Sequence, residues 1–405
     1  MISAGTGHPR SATSATARAI NDRLALDLLL DRGALTAAQL HTLTGLSRPS
    51  VSDLLARLQE AGLVAMIGES DAVQRGPNAR MYELVAERAH VAGVDVRQGS
   101  VSLAVANLTG RVLASAGVAA GAAGGPVGAT VDALVKAVRQ TGHQLPHTIA
   151  VGAPGMIDPA TGELRTTIAR WHAELVAALR RRLKVPVILE NEVNLAAVAE
   201  LRQGAARDRD TFVLLWLGQG VGAGTVLDGR LRRGASGGAG EMGFLAVPGT
   251  GALPSSTDCG GGFYSVASSA VVCELARRHR IETPDGWDEL AAEAAVHAAL
   301  RAGERGARFL DELAGNVVLG VQAICVVLDP GCVVLGGEVG RAGGPELAAR
   351  VAARLRALSP LPTEVRAAEV PGSAVLAGAV LTALDAAHAD LFGPPVSTTP
   401  HRVRS

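Results

Sequence analysis

Apolar positions follow a helical period at the start of the chain. From Ala19 to Asp31, Ile20, Leu24 and Leu28 recur every four residues, which predicts an amphipathic helix ended by Gly33. Thr36 can cap a short second helix carrying Leu40 and Leu43. After a turn at Gly45, a third helix starts at Ser47 with Pro49 in its first turn and runs to about Ala61. Within it Val51, Leu54, Leu55 and Leu58 form a stripe for a core. Ser50, Asp53 and Arg57 lie on another face, and Ser47, Arg48 and Ser52 stand near the start. Leu63 to Ile67 and Arg80 to Val85 then read as two strands of a hairpin across the polar loop Gly68 to Ala79. Two helices joined by a glycine turn, the second opening with small polar residues and Arg and followed by a hairpin, are the layout of a winged helix-turn-helix.

From Ala89 the period shifts to that of strands. Val91–Val96, Val101–Ala106 and Arg111–Ala116 predict a three-stranded meander broken by Gly99 and Gly110. A helix follows near Val127–Gln140, then the buried strand Thr148–Ala153, which delivers Pro154 and Gly155. Further helices are expected at Ala173–Leu183, Leu195–Arg202, Ser265–Arg280, Gly286–Ala302, Arg305–Leu328, Pro345–Ala357 and Ala374–His388. The resulting division is a disordered tail over 1–17, a winged helix over 18–88, an α/β region over 89–390 and a second tail over 391–405.

The chemistry concentrates in three stretches. Phe212–Leu217 and Val221–Leu227 are strand-length apolar runs around Gly218-Gln219-Gly220, a turn expected to use backbone conformations cheap only for glycine. A second glycine-rich loop ends in Glu241. In Val187-Ile-Leu-Glu-Asn-Glu-Val-Asn194 an apolar strand runs into Glu190, Asn191, Glu192 and Asn194, and polar groups at a strand end sit where α/β proteins bind ligands. Together with Ala239–Phe244 and Val333-Val-Leu-Gly-Gly-Glu338, these stretches resemble the repressor, open reading frame, kinase (ROK) family.

That resemblance covers residues 18 to about 390. It implies an N-terminal winged helix-turn-helix plus a two-lobed α/β domain of the sugar-kinase/actin-like fold. Thr44-Gly-Leu-Ser-Arg-Pro-Ser-Val-Ser52 and Arg75-Gly-Pro-Asn78 match the recognition helix and wing of ROK regulators, so the resemblance implies DNA contacts from Ser47, Arg48, Pro49, Ser50, Ser52, Asp53, Arg57, Arg75 and Arg80. It also implies an effector cleft that includes Pro154, Gly155, Asn191, Glu192 and Glu241. The kinases of the family carry DxGGT as a phosphate turn, and here it reads Asp95-Val-Arg97-Gln98-Gly99, with side chains where glycine makes room for phosphate. The catalytic Asp of E-N-D-x-N corresponds to Glu192, one methylene longer. The family's zinc-binding His is Phe244, and its cysteine loop keeps only Cys259, ending at Tyr264, too few ligands for a closed zinc site.

Composition adds limits. The formal net charge is zero, and residues 18 to 90 hold eight Arg against nine Asp or Glu, so no overall field favours nucleic acid. Charge placement favours it, because Arg48, Arg57, Arg75 and Arg80 fall on the recognition helix and wing while Asp22, Asp27 and Asp31 fall on the first helix. The four cysteines lack a CxxC pair, which favours free thiols in a reducing compartment. A cytoplasmic protein without membrane span or export signal is expected. The combined expectation is a regulator that binds a double-stranded operator as a homodimer or higher oligomer, senses a sugar or related effector, and has no catalytic activity, metal or cofactor. A sugar kinase with an added DNA-binding domain, and a regulator controlled by a protein partner, stay open as alternatives.

Overall fold

The computed structural model describes residues 14–69, 79–119, 121–122, 125–165 and 170–393. It opens with α1 (Ser14–Arg32), β1 (Leu35–Thr36), α2 (Ala37–Thr44), α3 (Arg48–Glu60), β2 (Val64–Glu69) and β3 (Arg80–Leu84), the strands pairing in the order β1-β3-β2. Thr36 caps α2 in a capping box, its hydroxyl accepting from the Gln39 amide while the Gln39 side chain accepts from that of Thr36. Ser47 caps α3, and Val51, Leu54, Leu55 and Leu58 are all buried beneath it. The hairpin forms as the alternation predicts. β1 escapes sequence reading because two residues carry no period.

α1 departs from expectation in start and face. It begins at Ser14, inside the stretch read as tail, and buries Ala25, Leu26 and Leu29 while Ile20 remains 42% exposed. The cause is a helix gripped on two sides. Asp22 accepts from Arg57 of α3 at 2.6 Å, while Arg23 donates to the carbonyls of His388 and Gly393 at 3.1 and 2.7 Å and lies over the Phe392 ring. The winged helix is thereby fastened to the last helix of the chain.

After a 3-10 turn at Ala86–Arg88, two sheets repeat one topology. The first comprises β4 (His90–Val96), β5 (Ser100–Asn107), β6 (Val112–Ala119), β7 (Thr148–Ala153) and β8 (Val187–Asn191), in the order β6-β5-β4-β7-β8. α4 (Pro126–Gln140) and α5 (Arg170–Leu183) cover it, and α6 (Glu192–Gln203) leaves it. The second comprises β9 (Phe212–Leu217), β10 (Val221–Leu227), β11 (Arg230–Arg232), β12 (Cys332–Gly336) and β13 (Glu364–Ala367), in the order β11-β10-β9-β12-β13. In both, the first three strands are antiparallel and the fourth and fifth run parallel to the first. This is the two-lobed α/β arrangement expected from the sequence.

Helices α7 (Tyr264–Ala267), α8 (Ser269–Arg278), α9 (Glu289–Ala299), α10 (Gly303–Leu328) and α11 (Gly337–Leu358) complete the second lobe. α11 begins earlier than Pro345 because two helices join across Gly344, which has φ 52°. α12 (Ala374–Phe392) ends the described chain and reaches beyond residue 390. Both α10 and α12 are long and apolar enough to cross a membrane by length and composition, and each has about half of its apolar window buried in this fold, 50% and 56%.

α6 and α12 pack closely against each other. Glu200, 1% exposed, accepts from the amides of Ala205, Glu369 and Val370 and so pins the segment that leads into α12. Gly378 of α12 lies so close to α6 that a Cβ would overlap the Leu195 carbonyl. Overpacking of a fixed backbone costs about 1–3 kcal/mol. Gly378→Ala should therefore lower stability by about that amount, read from the urea midpoint of the full chain. A midpoint equal to the parent's would contradict this packing.

Candidate functional site

The first strand of the first lobe ends in Asp95, 2% exposed, and the turn that follows places Arg97 across the gap between the lobes. The Arg97 guanidinium donates to Asp95 at 3.0 Å and to Glu338 of α11 at 3.0 Å, and lies 5.3 Å from the centre of the Trp216 ring. Desolvation works against its charge, yet Asp95 and Glu338 outweigh it and raise its pKa above the ordinary value. Burial pushes Glu338 up, with Arg97 opposing. Beside this pair, Gln219 donates to Gln98 at 2.6 Å. Both side chains that stand in this turn therefore reach across to the second lobe.

Gly218 and Gly220 were expected to need left-handed backbone. Neither adopts it. Gly218 is required for space instead, because a Cβ would stand 2.5 Å from Glu338 Oε2 and 2.8 Å from Trp216 Nε1. The need for positive φ falls on the following loop, at Gly237 (81°) and Gly240 (90°).

Arg97 and Trp216 form the partition between two cavities. One, of about 200 Å³, is bounded by Asp95, Glu338, Gly336 and Ser373. The other, of about 260 Å³, is bounded by Pro154, His172, Glu192, Gln219, Tyr264 and Glu289. Of the five residues expected to hold an effector, Pro154 and Glu192 line the second cavity. Asn191 does not, and its role is corrected: its Oδ1 accepts from the amides of Val193 and Asn194 as the cap of α6, and its Nδ2 donates to the Gly155 carbonyl and to Glu192 Oε2. Asn191 thus aims Glu192, and Gly155 supplies the carbonyl that orients Asn191. Glu241 is not among the residues that line the cavity; its surface is exposed, yet its surroundings desolvate the carboxylate enough to raise its pKa, and it lies near enough to act on Glu192 through its charge. Glu190 and Asn194 are buried in a structural pair, with Arg233 donating to Glu190 at 2.6 Å.

Glu192 is the carboxylate of the cavity whose pKa is most displaced. Burial raises its pKa to about 7, with Asp95 and Glu241 adding repulsion and its own amide and Arg97 opposing. His172 was missed by sequence reading, where one histidine near a helix start carries no pattern. It is 1% exposed and lines the same cavity. Among the described residues no group of three or more His, Cys, Asp or Glu is arranged to hold a metal ion, and Cys259 is a free thiol.

On the winged helix, Ser47, Arg48, Pro49, Ser50, Ser52 and Asp53 are exposed together along the start of α3, and Arg80 is exposed at the start of β3. The Ser47 and Ser50 hydroxyls share a 2.8 Å hydrogen bond. Arg57 is corrected from this face, since its ion pair with Asp22 turns it toward α1. Arg75 lies outside the described residues.

A folded pKa above the unfolded one means that folding disfavours the charged form. The contribution of Glu192 is therefore fully favourable below about pH 4.5 and is lost as pH rises through about 7. Between about pH 5 and about pH 8, Glu192→Gln should lose on the order of 2 kcal/mol less stability than the parent by chemical denaturation. Equal pH dependence in the two proteins would contradict the assignment.

Comparison with known proteins agrees with this architecture. The ROK family profile matches residues 91–386 and the MarR family profile matches residues 19–76. The chain is 30% identical over 205 residues to a glucokinase of Halalkalibacterium halodurans, covering 48% of this chain and 62% of that protein. It is 25% identical over 235 residues to the xylose repressor of Bacillus subtilis, covering 56% and 60%. The chain thus spans about three fifths of the length of these curated relatives. Among solved structures, a ROK family transcriptional regulator described as a homolog of the E. coli MLC protein superposes with TM-score 0.71 at 20% identity, covering 93% of this chain and 97% of that one, which establishes the shared fold. With the profile matched over nearly all of both lobes, the chain belongs to the ROK family.

Proposed function

We propose that the chain is a cytoplasmic transcriptional regulator, a repressor, that binds double-stranded DNA as a homo-oligomer and senses a sugar or related metabolite in its cleft without phosphorylating it. The observation that carries this reading is the Arg97 guanidinium held between Asp95 and Glu338. In the kinases that the sequence resembles, that turn must leave room for ATP phosphates, and here a partly buried, doubly paired cation stands in it. Exposed Arg48 at the start of α3, the MarR profile over the winged helix and the likeness to a xylose repressor support the DNA half of the reading. A helix of this kind enters the major groove with its first residues toward the bases, and paired half-sites call for a symmetric oligomer.

A second reading, a sugar kinase carrying a DNA-binding domain, draws on Glu192. A carboxylate with a pKa of about 7 in a cleft is suited to accept a proton from a sugar hydroxyl. The likeness to a glucokinase supports it equally. The blocked phosphate turn weighs against it, as does the extra methylene of Glu192, since misplacement by about 1 Å can cost on the order of 100-fold in rate.

Two measurements separate the readings. On an operator fragment, Arg48→Ala should weaken binding by about 1–3 kcal/mol, as loss of a bidentate base contact does. Unchanged affinity in the folded variant would remove Arg48 from the interface. Incubation with Mg·ATP and a panel of hexoses and pentoses should give no sugar phosphate, and turnover at about 1 s⁻¹ or faster would establish the kinase reading instead.

A further inference from the structure

His172 stands in the first turn of α5 with both ring nitrogens buried and without a hydrogen-bond partner among the described residues. Trp171 packs edge-on against it, with ring centroids 4.4 Å apart. Burial lowers its pKa, so the ring is neutral near pH 7. A neutral imidazole offers one donor and one acceptor, and leaving a buried polar group unpaired costs about 1–3 kcal/mol. The ring belongs to the wall of the 260 Å³ cavity that also holds Glu192. A hydroxyl group can serve either nitrogen, accepting from the protonated one or donating to the other, so a molecule with several hydroxyls could satisfy both.

The charges around that cavity restrict what enters. Glu192 and Glu289 line it and Glu241 acts on it from nearby, while the one cation among its described lining residues, Arg97, is already committed to Asp95 and Glu338. Among the described residues a phosphate dianion would meet carboxylates with no free cation to neutralise it, and such groups are bound where Arg or Lys can pair with them. Its volume also lies below the roughly 300–1,000 Å³ of pockets for drug-sized ligands.

We propose that His172 is an effector-binding residue and that the effector is an uncharged polyhydroxylated molecule, a free monosaccharide in place of its phosphate ester. This rests on the sensor reading above. The carboxylate of Glu192 and the imidazole of His172 are the two polar anchors, and Trp216 and Tyr264 supply ring faces for the apolar side of the sugar.

The test is calorimetric titration of the full chain with D-glucose, D-xylose, N-acetyl-D-glucosamine and D-mannose, and with the phosphate ester of each. The same titrations are made on His172→Ala and His172→Asn, with operator binding followed in parallel. At least one free sugar should bind, its phosphate ester about tenfold or more weaker. His172→Ala should weaken that sugar about tenfold or more, and His172→Asn, which keeps a donor and an acceptor, should recover part of the loss. If the Ala variant does not fold, the Asn variant carries the comparison through any change in sugar preference.

A histidine with only a structural role would shift the unfolding midpoint of the sugar-free protein and leave sugar affinity unchanged, which overturns the proposal. Tighter binding of a phosphate ester overturns it as well. In either case a sugar-dependent change in operator binding leaves the sensor reading standing. Binding of none of these compounds to the folded parent removes the sensor reading itself, and this proposal with it.

Discussion

The relation between the two lobes depends on one buried charge arrangement, the Arg97 guanidinium between Asp95 and Glu338. Asp95 ends the first strand of the first lobe and Glu338 opens α11 in the second, so the pair spans the cleft. The guanidinium is desolvated between two carboxylates that raise its pKa, and burial of such a cation is offset only by partners of this kind. Gly218 leaves the space in which Glu338 and Trp216 come together beside it. Ser373, the cap of α12, donates to Asp95 as well, at 2.8 Å, so the same charge cluster touches the helix that carries the winged helix. In a kinase, this place must open and fill with phosphate on each cycle. Here the Arg97 side chain occupies part of that place, beside the cavity bounded by Asp95, Glu338 and Ser373.

A continuous packed path leads from the cleft to the DNA-binding domain. Glu192 and its positioning residue Asn191 form the start of α6, and α6 packs on α12 through Leu195 and Gly378. The far end of α12 receives Arg23 of α1, and α1 is tied to α3 through Asp22 and Arg57. A ligand alters DNA affinity only to the extent that it binds one arrangement of these helices better than another. Coupling of that kind is typically about 1–3 kcal/mol. The glycine contact between α6 and α12 leaves little slack between the two helices.

Much of this was legible in the sequence, where local rules decide structure. The cap at Ser47, the stripe Val51, Leu54, Leu55 and Leu58, and the buried strand Thr148–Ala153 all lie where period and capping place them. What escaped depends on partners far along the chain. The face of α1 was misjudged because Arg23 meets residues 365 and 370 positions away. Arg57 reads as a DNA contact until Asp22, 35 residues earlier, claims it. The short edge strands β11 and β13, three and four residues long with charged side chains, carry no hydrophobic signal. In the cleft, the sequence displays the loss of glycine at Arg97 and Gln98 and sets Glu338 and Gln219 in glycine-rich stretches, but does not show that these pair with those side chains. His172 has no sequence signature, because its meaning lies in lacking a partner.

The proposed function is that of a sugar-responsive DNA-binding protein built on a ROK scaffold. Selection of genomic fragments by the purified full chain, with and without free monosaccharides, tests that claim most directly. The account predicts enrichment of one short pseudo-palindromic sequence that is lost, or markedly weakened, when one of the sugars is present. Recovery of DNA without any shared sequence, or of a shared sequence indifferent to every sugar, would contradict it.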